Sequence, residues 1–261
     1  MCDYGLISKI QRFSLGDGPG IRTTVFIQGC NLHCHWCHNP ETIPANGAIM
    51  LYDNLCGVCG LCQKVCPKRI INNCHISDRT KCALCGKCEE ICPNNAIIIS
   101  GKKMSVGHVY DYVAEDMAYY NESGGGITIS GGEPLLQPGF CTALAKKCAK
   151  NDINVIIDTA GDVPFTYFEQ MIPYVDCFYY DIKTTPTGYA NIGGDGDRTY
   201  DNLKRLSRLC SVVVRIPTIT GYNDSNMGNI TQNLRIMGIS EIEFLPFHSL
   251  GTGKNRALGL S

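Results

Sequence analysis

The sequence of 261 residues predicts an α/β fold, a partial (β/α)6 barrel interrupted by a small cysteine-rich insert. Apolar strand-like segments alternate with segments of helical spacing, which indicates a parallel sheet covered by helices. A cysteine pattern occurs twice between the first two strands. Six strand–helix units suit a partial barrel better than a complete eight-fold one. A doubly wound open sheet is the alternative.

The predicted strands are short, mostly apolar and rich in β-branched or aromatic residues, as expected for strands that are buried on both faces. They are 22–27, 126–130, 155–158, 177–181, 212–216 and 241–245. Apolar residues recur at helical spacing in the segments between and after these strands. The predicted helices are 106–120, 139–151, 165–172, 201–210 and 225–237.

Polar or glycine-containing clusters follow the predicted strands. In parallel α/β folds the carboxyl ends of the strands meet at one face, where ligands bind. The clusters therefore predict a single large site. They are Gly29-Cys30, Ser130-Gly131-Gly132-Glu133, Asp158-Thr159, Asp181-Ile182-Lys183, Arg215-Ile216-Pro217 and Pro246-Phe247-His248.

The bulk composition excludes some classes of partner. The net charge of −1 shows no basic excess, which argues against nucleic acid as a partner. No apolar run approaches the roughly 18 residues that a membrane helix needs, so no membrane association is expected. The first residues lack the apolar stretch and the cleavage site of a secretory signal. We expect a cytoplasmic protein.

Eight of the 17 cysteines form two sets with the same spacing, and a proline follows each set. Both sets match the bacterial ferredoxin run C-x₂-C-x₂-C-x₃-C-P, in which the fourth cysteine ligates the other cluster. A zinc ribbon is the alternative, although its knuckles use single CxxC pairs. The insert is predicted at 51–99, and the barrel at 1–50 and 100–261. The predicted ligands are Cys56, Cys59, Cys62 and Cys92 for one 4Fe–4S cluster, and Cys66, Cys82, Cys85 and Cys88 for the other.

A third set, Cys30, Cys34 and Cys37, follows the first predicted strand and has no fourth cysteine. Three thiolates on a four-iron cube leave one iron open for a small molecule. Catalytic zinc sites differ from structural ones in the same way, because they keep one coordination position open. The alternative is zinc with a nearby histidine as the fourth ligand, either His33, His35 or His38. Six cysteines remain outside the three sets: Cys2, Cys74, Cys141, Cys148, Cys177 and Cys210. The last four are predicted to be small core residues.

The three-cysteine spacing, with Trp36 before the last cysteine, resembles the radical S-adenosylmethionine (SAM) superfamily. The Gly131-Gly132-Glu133 tripeptide after the second strand supports this resemblance. The segment 13–26, which contains Asp17-Gly18-Pro19-Gly20, and Asn39-Pro40-Glu41 resemble the activating enzymes of glycyl radical enzymes. The two ferredoxin-type runs are similar to those of the branch that carries two inserted 4Fe–4S clusters.

The resemblance implies roles for individual residues. It implies that Cys30, Cys34 and Cys37 hold the catalytic 4Fe–4S cluster, with Lys183 also catalytic. It also implies a monovalent cation at Asp158, Thr159 and Asp181, whose converging carboxylates would otherwise repel each other. The implied SAM-binding residues are Asn39, Gly131, Gly132, Glu133, Asp158, Asp181, Lys183, Arg215 and His248.

The implied activity is reductive cleavage of SAM to a 5′-deoxyadenosyl radical, which abstracts a hydrogen from a glycine of a partner glycyl radical enzyme under anaerobic conditions. Flavodoxin or ferredoxin is the implied electron donor. The alternatives are a radical SAM maturase or small-molecule radical enzyme with auxiliary clusters and, more distantly, a polyferredoxin electron carrier. Members of the family usually continue for some tens of residues after 246–248, so the last helix and any closing strand are expected to be short or missing.

Overall fold

The computed structural model describes residues 3–247 and 249–260. The elements up to the end of the insert are β1 (Tyr4–Ser14), β2 (Arg22–Ile27), β3 (Ile49–Leu51), α1 (Leu61–Val65), β4 (Ile71–Asn72), β5 (His75–Ile76), α2 (Lys87–Glu90) and β6 (Ile97–Ile99). The remaining elements alternate between strand and helix. They are β7 (Lys102–Ser105), α3 (Val106–Ala114), α4 (Met117–Ser123), β8 (Gly126–Gly131), α5 (Pro138–Ala149), β9 (Asn154–Thr159), α6 (Phe165–Met171), β10 (Cys177–Asp181), α7 (Gly196–Leu206), β11 (Val212–Thr218), α8 (Met227–Ile236), β12 (Ile242–Pro246) and α9 (Thr252–Leu258).

The main sheet has eight strands in the order β12-β11-β10-β9-β8-β2-β1-β7. From β2 to β12, successive strands are parallel neighbours in chain order. A doubly wound sheet reverses its strand order at a switch point, and this sheet does not. The six parallel strands form the predicted partial barrel, and β1 and β7 extend it as antiparallel strands that the sequence analysis did not predict.

The core lies between these strands and the helices that connect them. Fully buried strand residues such as Val25, Ile127 and Ile157 pack with Phe140 of α5 and Phe168 of α6. No helix within residues 3–247 and 249–260 is long and apolar enough to cross a membrane.

A buried arginine ties the start of the barrel together. The Arg22 side chain is fully buried and donates to the Thr128 hydroxyl at 2.8 Å and to the Asn154 side-chain oxygen at 3.0 Å. These contacts join β2, β8 and β9 across three neighbouring strands. Burial lowers the pKa of Arg22 to about 10, so the guanidinium stays charged at neutral pH.

The insert has its own apolar centre, formed by isoleucines of its strands and loops and by Cys88. The β3–β6 ladder, with Ile49 opposite Ile99 and Leu51 opposite Ile97, closes its base. The predicted division at 51 and 99 cuts through this ladder, and we propose that the insert begins at Ile49, which keeps the ladder whole.

The short C-terminal helix α9 packs against the insert. Ala257 and Leu258 are buried with Met50 of β3, and Arg79 donates to the Ala257 carbonyl at 3.2 Å. The chain after β12 therefore returns to the base of the insert.

Candidate active site

A cavity of about 680 Å³ lies at the carboxyl ends of the parallel strands, a size typical of small-molecule sites. It brings together side chains from the ends of β2, β8, β9, β10 and β11 and from α9. Of the residues predicted to act there, the cavity wall contains Cys30, Cys34, Cys37, Asn39, Gly131, Gly132, Asp158, Thr159, Asp181, Lys183 and Arg215. His248 lies outside the described residues, so its role stays a prediction.

The three-cysteine loop is held in place by backbone contacts. Gly29 N–H donates to the Thr42 carbonyl at 2.7 Å, and Cys30 N–H donates to the Ile43 carbonyl at 3.2 Å. The Cys37 N–H donates to the Cys34 carbonyl at 3.1 Å, which closes a tight turn between these two thiols. The three thiols thus reach the cavity from a loop fixed at both ends.

Burial determines the protonation of these thiols. It raises the pKa of Cys30 to about 12 and that of Cys34 to about 11, although the Lys183 ammonium opposes the rise at Cys34. Without a metal both thiols hold their protons at neutral pH, and a metal that binds them as thiolates displaces those protons.

The histidines of this loop do not complete a zinc site. The His35 ring stacks on Tyr222 with centroids 5.7 Å apart, and the His38 ring contacts Phe247 at 5.6 Å. In the part of the chain that the structure describes, no three His, Cys, Asp or Glu side chains converge on one metal position. A cube distributes its thiolates over separate irons, so its ligands need not converge in that way.

The two glycines after β8 allow the backbone to approach the end of β2. Gly131 has a φ of +121°, and a Cβ on Gly132 would lie 2.2 Å from the Gly29 carbonyl oxygen. The Glu133 N–H donates to that same oxygen at 2.8 Å. Larger side chains would separate the turn from the three-cysteine loop.

The Glu133 carboxylate does not lie on the cavity wall. It is fully buried and accepts hydrogen bonds from the Thr159 hydroxyl at 2.7 Å, the Ala160 N–H at 2.8 Å and the Leu135 N–H at 3.0 Å. It therefore joins the end of β8 to the end of β9. Ser130, Gly131 and Gly132 are the part of this segment that lines the cavity.

A network of largely buried charges forms another part of the cavity wall. The Lys183 ammonium contacts an Asp181 oxygen at 2.5 Å. The Arg215 guanidinium lies 3.8 Å from Asp158 and 3.7 Å from Asp181, and the Ser130 hydroxyl donates to Asp158 at 2.7 Å. Burial raises the pKa of Asp158 despite the nearby Arg215.

Several atoms of this network have no hydrogen-bond partner within the described residues. They are one oxygen each of Asp158 and Asp181 and two nitrogens of Arg215. Buried acceptors and donors of this kind need partners, and all three residues line the cavity. The two oxygens lie 3.8 and 3.7 Å from the two nitrogens, so the opposite charges attract each other but are too far apart to share a hydrogen bond.

Lys254 of α9 was not predicted from the sequence to be a site residue. Its ammonium donates to the Asn39 side-chain oxygen at 2.7 Å and to Glu41 at 2.6 Å, and it lines the cavity. Glu41 is almost fully buried. No motif of the chain marks Lys254, because the contact joins residues more than two hundred positions apart.

Two smaller cavities in the insert separate its cysteines into the predicted sets. The first, of about 270 Å³, is lined by Cys56, Cys59, Cys62 and Cys92, together with Cys74. The second is lined by Cys66, Cys82, Cys85 and Cys88. The second is only about 20 Å³, so its walls would have to move outward to admit a cube.

A protein-family model described as "4Fe-4S single cluster domain" matches residues 16–170. The chain is 42% identical to the benzylsuccinate synthase activating enzyme of Thauera aromatica, over 97% of this chain and 82% of that protein. It is 37% identical to the trans-4-hydroxy-L-proline dehydratase activating enzyme of Clostridioides difficile, over 95% of this chain and 86% of that protein. It is 36% identical to the isethionate sulfite-lyase activating enzyme of Desulfovibrio desulfuricans, over 98% and 86%.

The partial barrel and the three-cysteine loop at its open face define an iron–sulfur enzyme of the radical SAM class. With these relatives, the chain belongs to the activating enzymes of glycyl radical enzymes. The family and the enzyme class predicted from the motifs are therefore confirmed, as is the use of a 4Fe–4S cluster and SAM. The polyferredoxin alternative is wrong, because most of the chain forms the barrel.

Proposed function

We propose that Cys30, Cys34 and Cys37 hold a 4Fe–4S cluster by three thiolates and leave its fourth iron for the methionyl group of SAM. One observation carries this proposal. The three thiols and the incompletely paired charges of Asp158, Asp181 and Arg215 line the same cavity. The residues of that wall include no fourth cysteine that could bind the remaining iron. A cluster held there would have its open iron beside charged groups of both signs, which suit a zwitterion.

The wall residues would orient the methionyl group. The carboxylates of Asp158 and Asp181 would accept from its ammonium, and Arg215 would donate to its carboxylate. Lys183, held against Asp181, adds positive charge on the same side. Asn39 lies on the wall near the cysteine loop, where Lys254 fixes its side chain.

The candidate cation position rests on Asp158, Thr159 and Asp181. The two carboxylates flank Arg215, and each has one oxygen without a hydrogen-bond partner in the described chain. The Thr159 hydroxyl donates to Glu133, so it can contribute to a cation only through a lone pair or its backbone carbonyl. A monovalent cation would offset the repulsion between the two carboxylates, a role that Arg215 already fills in part.

We propose that the insert holds two further 4Fe–4S clusters, one per cavity. Each cavity contains three cysteines of one run and the fourth of the other, as the ferredoxin ligation rule requires. Flavodoxin or ferredoxin would deliver electrons through these clusters.

A reduced cluster held by Cys30, Cys34 and Cys37 would supply one electron to SAM, whose S–C5′ bond would break to give methionine and a 5′-deoxyadenosyl radical able to take a hydrogen from a glycine. The three relatives activate three different enzymes, so the partner is proposed as a class, a glycyl radical enzyme. Its glycine segment would enter the cavity from the open face of the barrel, because glycine lacks a side chain that could obstruct entry.

Anaerobic reconstitution and iron analysis test the number of clusters. Three cubes predict about twelve irons per chain, and Cys34→Ala should remove about four of them. Cys141→Ala is the matched control, because Cys141 is a fully buried core residue and should leave the count unchanged. About eight irons in the wild type, with no loss in Cys34→Ala, would exclude the open cluster.

A further inference from the structure

The first insert cavity contains one cysteine more than a cube needs. Four of its five cysteines are the ligand set described above, and the fifth is Cys74. The Cys74 thiol donates to the Asp53 carbonyl at 4.0 Å, and the same oxygen accepts from the Cys56 N–H at 3.2 Å, so Cys74 lies beside Cys56. The second cavity contains only four cysteines among its lining residues. The first cavity therefore has one cysteine that the second cavity lacks.

The backbone at Cys74 is unusual. Asn73 and Cys74 form the two-residue turn between β4 and β5, and both have positive φ, +40° and +56°. Turns of this kind favour glycine or asparagine, since a side chain such as that of cysteine is strained there. A strained residue that persists at a site points to a function.

The internal repeat provides a comparison. Other positive-φ residues of the insert recur in both halves at the same offset, as Val58 and Leu84 do and as Arg69 and Asn95 do. At the same offset, the residue that corresponds to Cys74 is Ser100, which is not among the residues with positive φ. The turn that directs Cys74 into the cavity thus belongs to the first half alone.

We propose that Cys74 and Cys56 are interchangeable ligands of one iron of the cluster in the first insert cavity. The proposal rests on the proposed auxiliary cluster. In the exchange, the incoming thiol releases its proton and binds iron as a thiolate, while the outgoing thiolate leaves the iron and takes up a proton. The oxidation state of the cluster does not change.

The test uses the full chain, reconstituted anaerobically, with Cys56→Ala, Cys74→Gly and the double variant. Glycine suits the positive φ at 74, so Cys74→Gly removes the thiol without straining the turn. Cys59→Ala is the matched control, because Cys59 belongs to the same ligand set. Each of the two single variants at 56 and 74 should retain about twelve irons, while the double variant and Cys59→Ala should each lose up to about four.

Alkylation of the native holoprotein, read by mass spectrometry, gives a second readout. In the wild type either Cys56 or Cys74 should be labelled, because only one of them binds iron at a time. In Cys56→Ala, Cys74 should be protected from labelling, and in Cys74→Gly, Cys56 should be protected. Three results would overturn the exchange. The first is that Cys56→Ala loses as much iron as the double variant, and the second is that Cys74 is labelled in Cys56→Ala. The third is that Cys56→Ala fails to fold while Cys74→Gly folds. If the wild type holds too few irons for this cluster and Cys59→Ala changes nothing, the auxiliary cluster itself is excluded.

Discussion

The Glu133 carboxyl group lies between two strand ends, and its burial controls its proton affinity. Desolvation raises its pKa from an ordinary 4.5 to about 7, although the Thr159 hydroxyl and three backbone N–H groups oppose the rise. The native state therefore holds this proton more tightly than the unfolded chain does. The stability that this contributes is fully present below about pH 4.5 and is lost as the pH rises through about 7.

Glu133→Gln should remove this pH dependence. We expect the Tm of the wild type to fall, relative to that of the variant, as the pH is raised from about 5.5 to about 8. The variant should also be less stable at every pH. Its amide NH₂ would face a backbone N–H that in the wild type donates to a carboxyl oxygen, so two donors would oppose each other. Thermal unfolding of both holoproteins across this range is the measurement. Parallel Tm curves would contradict the assigned protonation.

At the scale of elements, α9 carries two basic residues with different environments. Lys254 pairs with Glu41, whose side chain is only 4% exposed, and it also holds Asn39. Arg256 pairs with Asp53, and both of those side chains are largely exposed. The first pair supports the cavity, and the second lies on the surface of the insert.

Lys254→Met and Arg256→Met on this helix form a matched pair. Lys254→Met leaves a buried carboxylate without its cation, so the free energy of unfolding should fall by about 1–3 kcal/mol. It should also weaken SAM binding, because Asn39 loses its support. Arg256→Met should change stability by only about 0–1 kcal/mol.

Isothermal titration with SAM and thermal unfolding of the two variants check this difference. Equal effects of both substitutions on SAM affinity would show that α9 acts only by covering the insert, not through Lys254.

The strands of the barrel could be predicted because each is a short apolar run with a polar end. The structure places all six within about two residues of the predicted bounds, consistent with the usual uncertainty of strand ends. The antiparallel strand β1 was missed because its alternation is irregular, with Lys9, Gln11 and Arg12 among its apolar residues. Such a segment lacks the regular alternation of apolar and polar residues that identifies a strand.

Two helix boundaries depended on contacts that the sequence does not display. The predicted helix 106–120 is divided because Asp116 is buried and bound by Arg12 and the Thr23 hydroxyl. Helix α7 begins five residues before its predicted start, because the Asp195 side chain accepts from the Arg198 N–H and caps it. Long-range ion pairs and caps determined these ends.

At the scale of the whole molecule, the cavity and the insert meet through α9. Lys254 contacts Glu41 at the cavity, and the next turn of the same helix packs on Met50 and accepts from Arg79. Cysteine spacing could predict which cysteines share each insert cavity, because the spacing itself is the chemical signal. It could not predict this connection, since the residues of α9 carry no motif.

The chemistry of this chain should end in a radical on a glycine of a partner protein, formed by abstraction of a hydrogen. EPR spectroscopy tests it most directly, on the anaerobically reduced holoprotein mixed with SAM and a candidate glycyl radical enzyme. We predict the doublet of a glycyl radical, absent when the partner's radical glycine is replaced by alanine and absent with the Cys34→Ala activase. Cleavage of SAM to 5′-deoxyadenosine without a glycyl doublet on any candidate partner would contradict the claim.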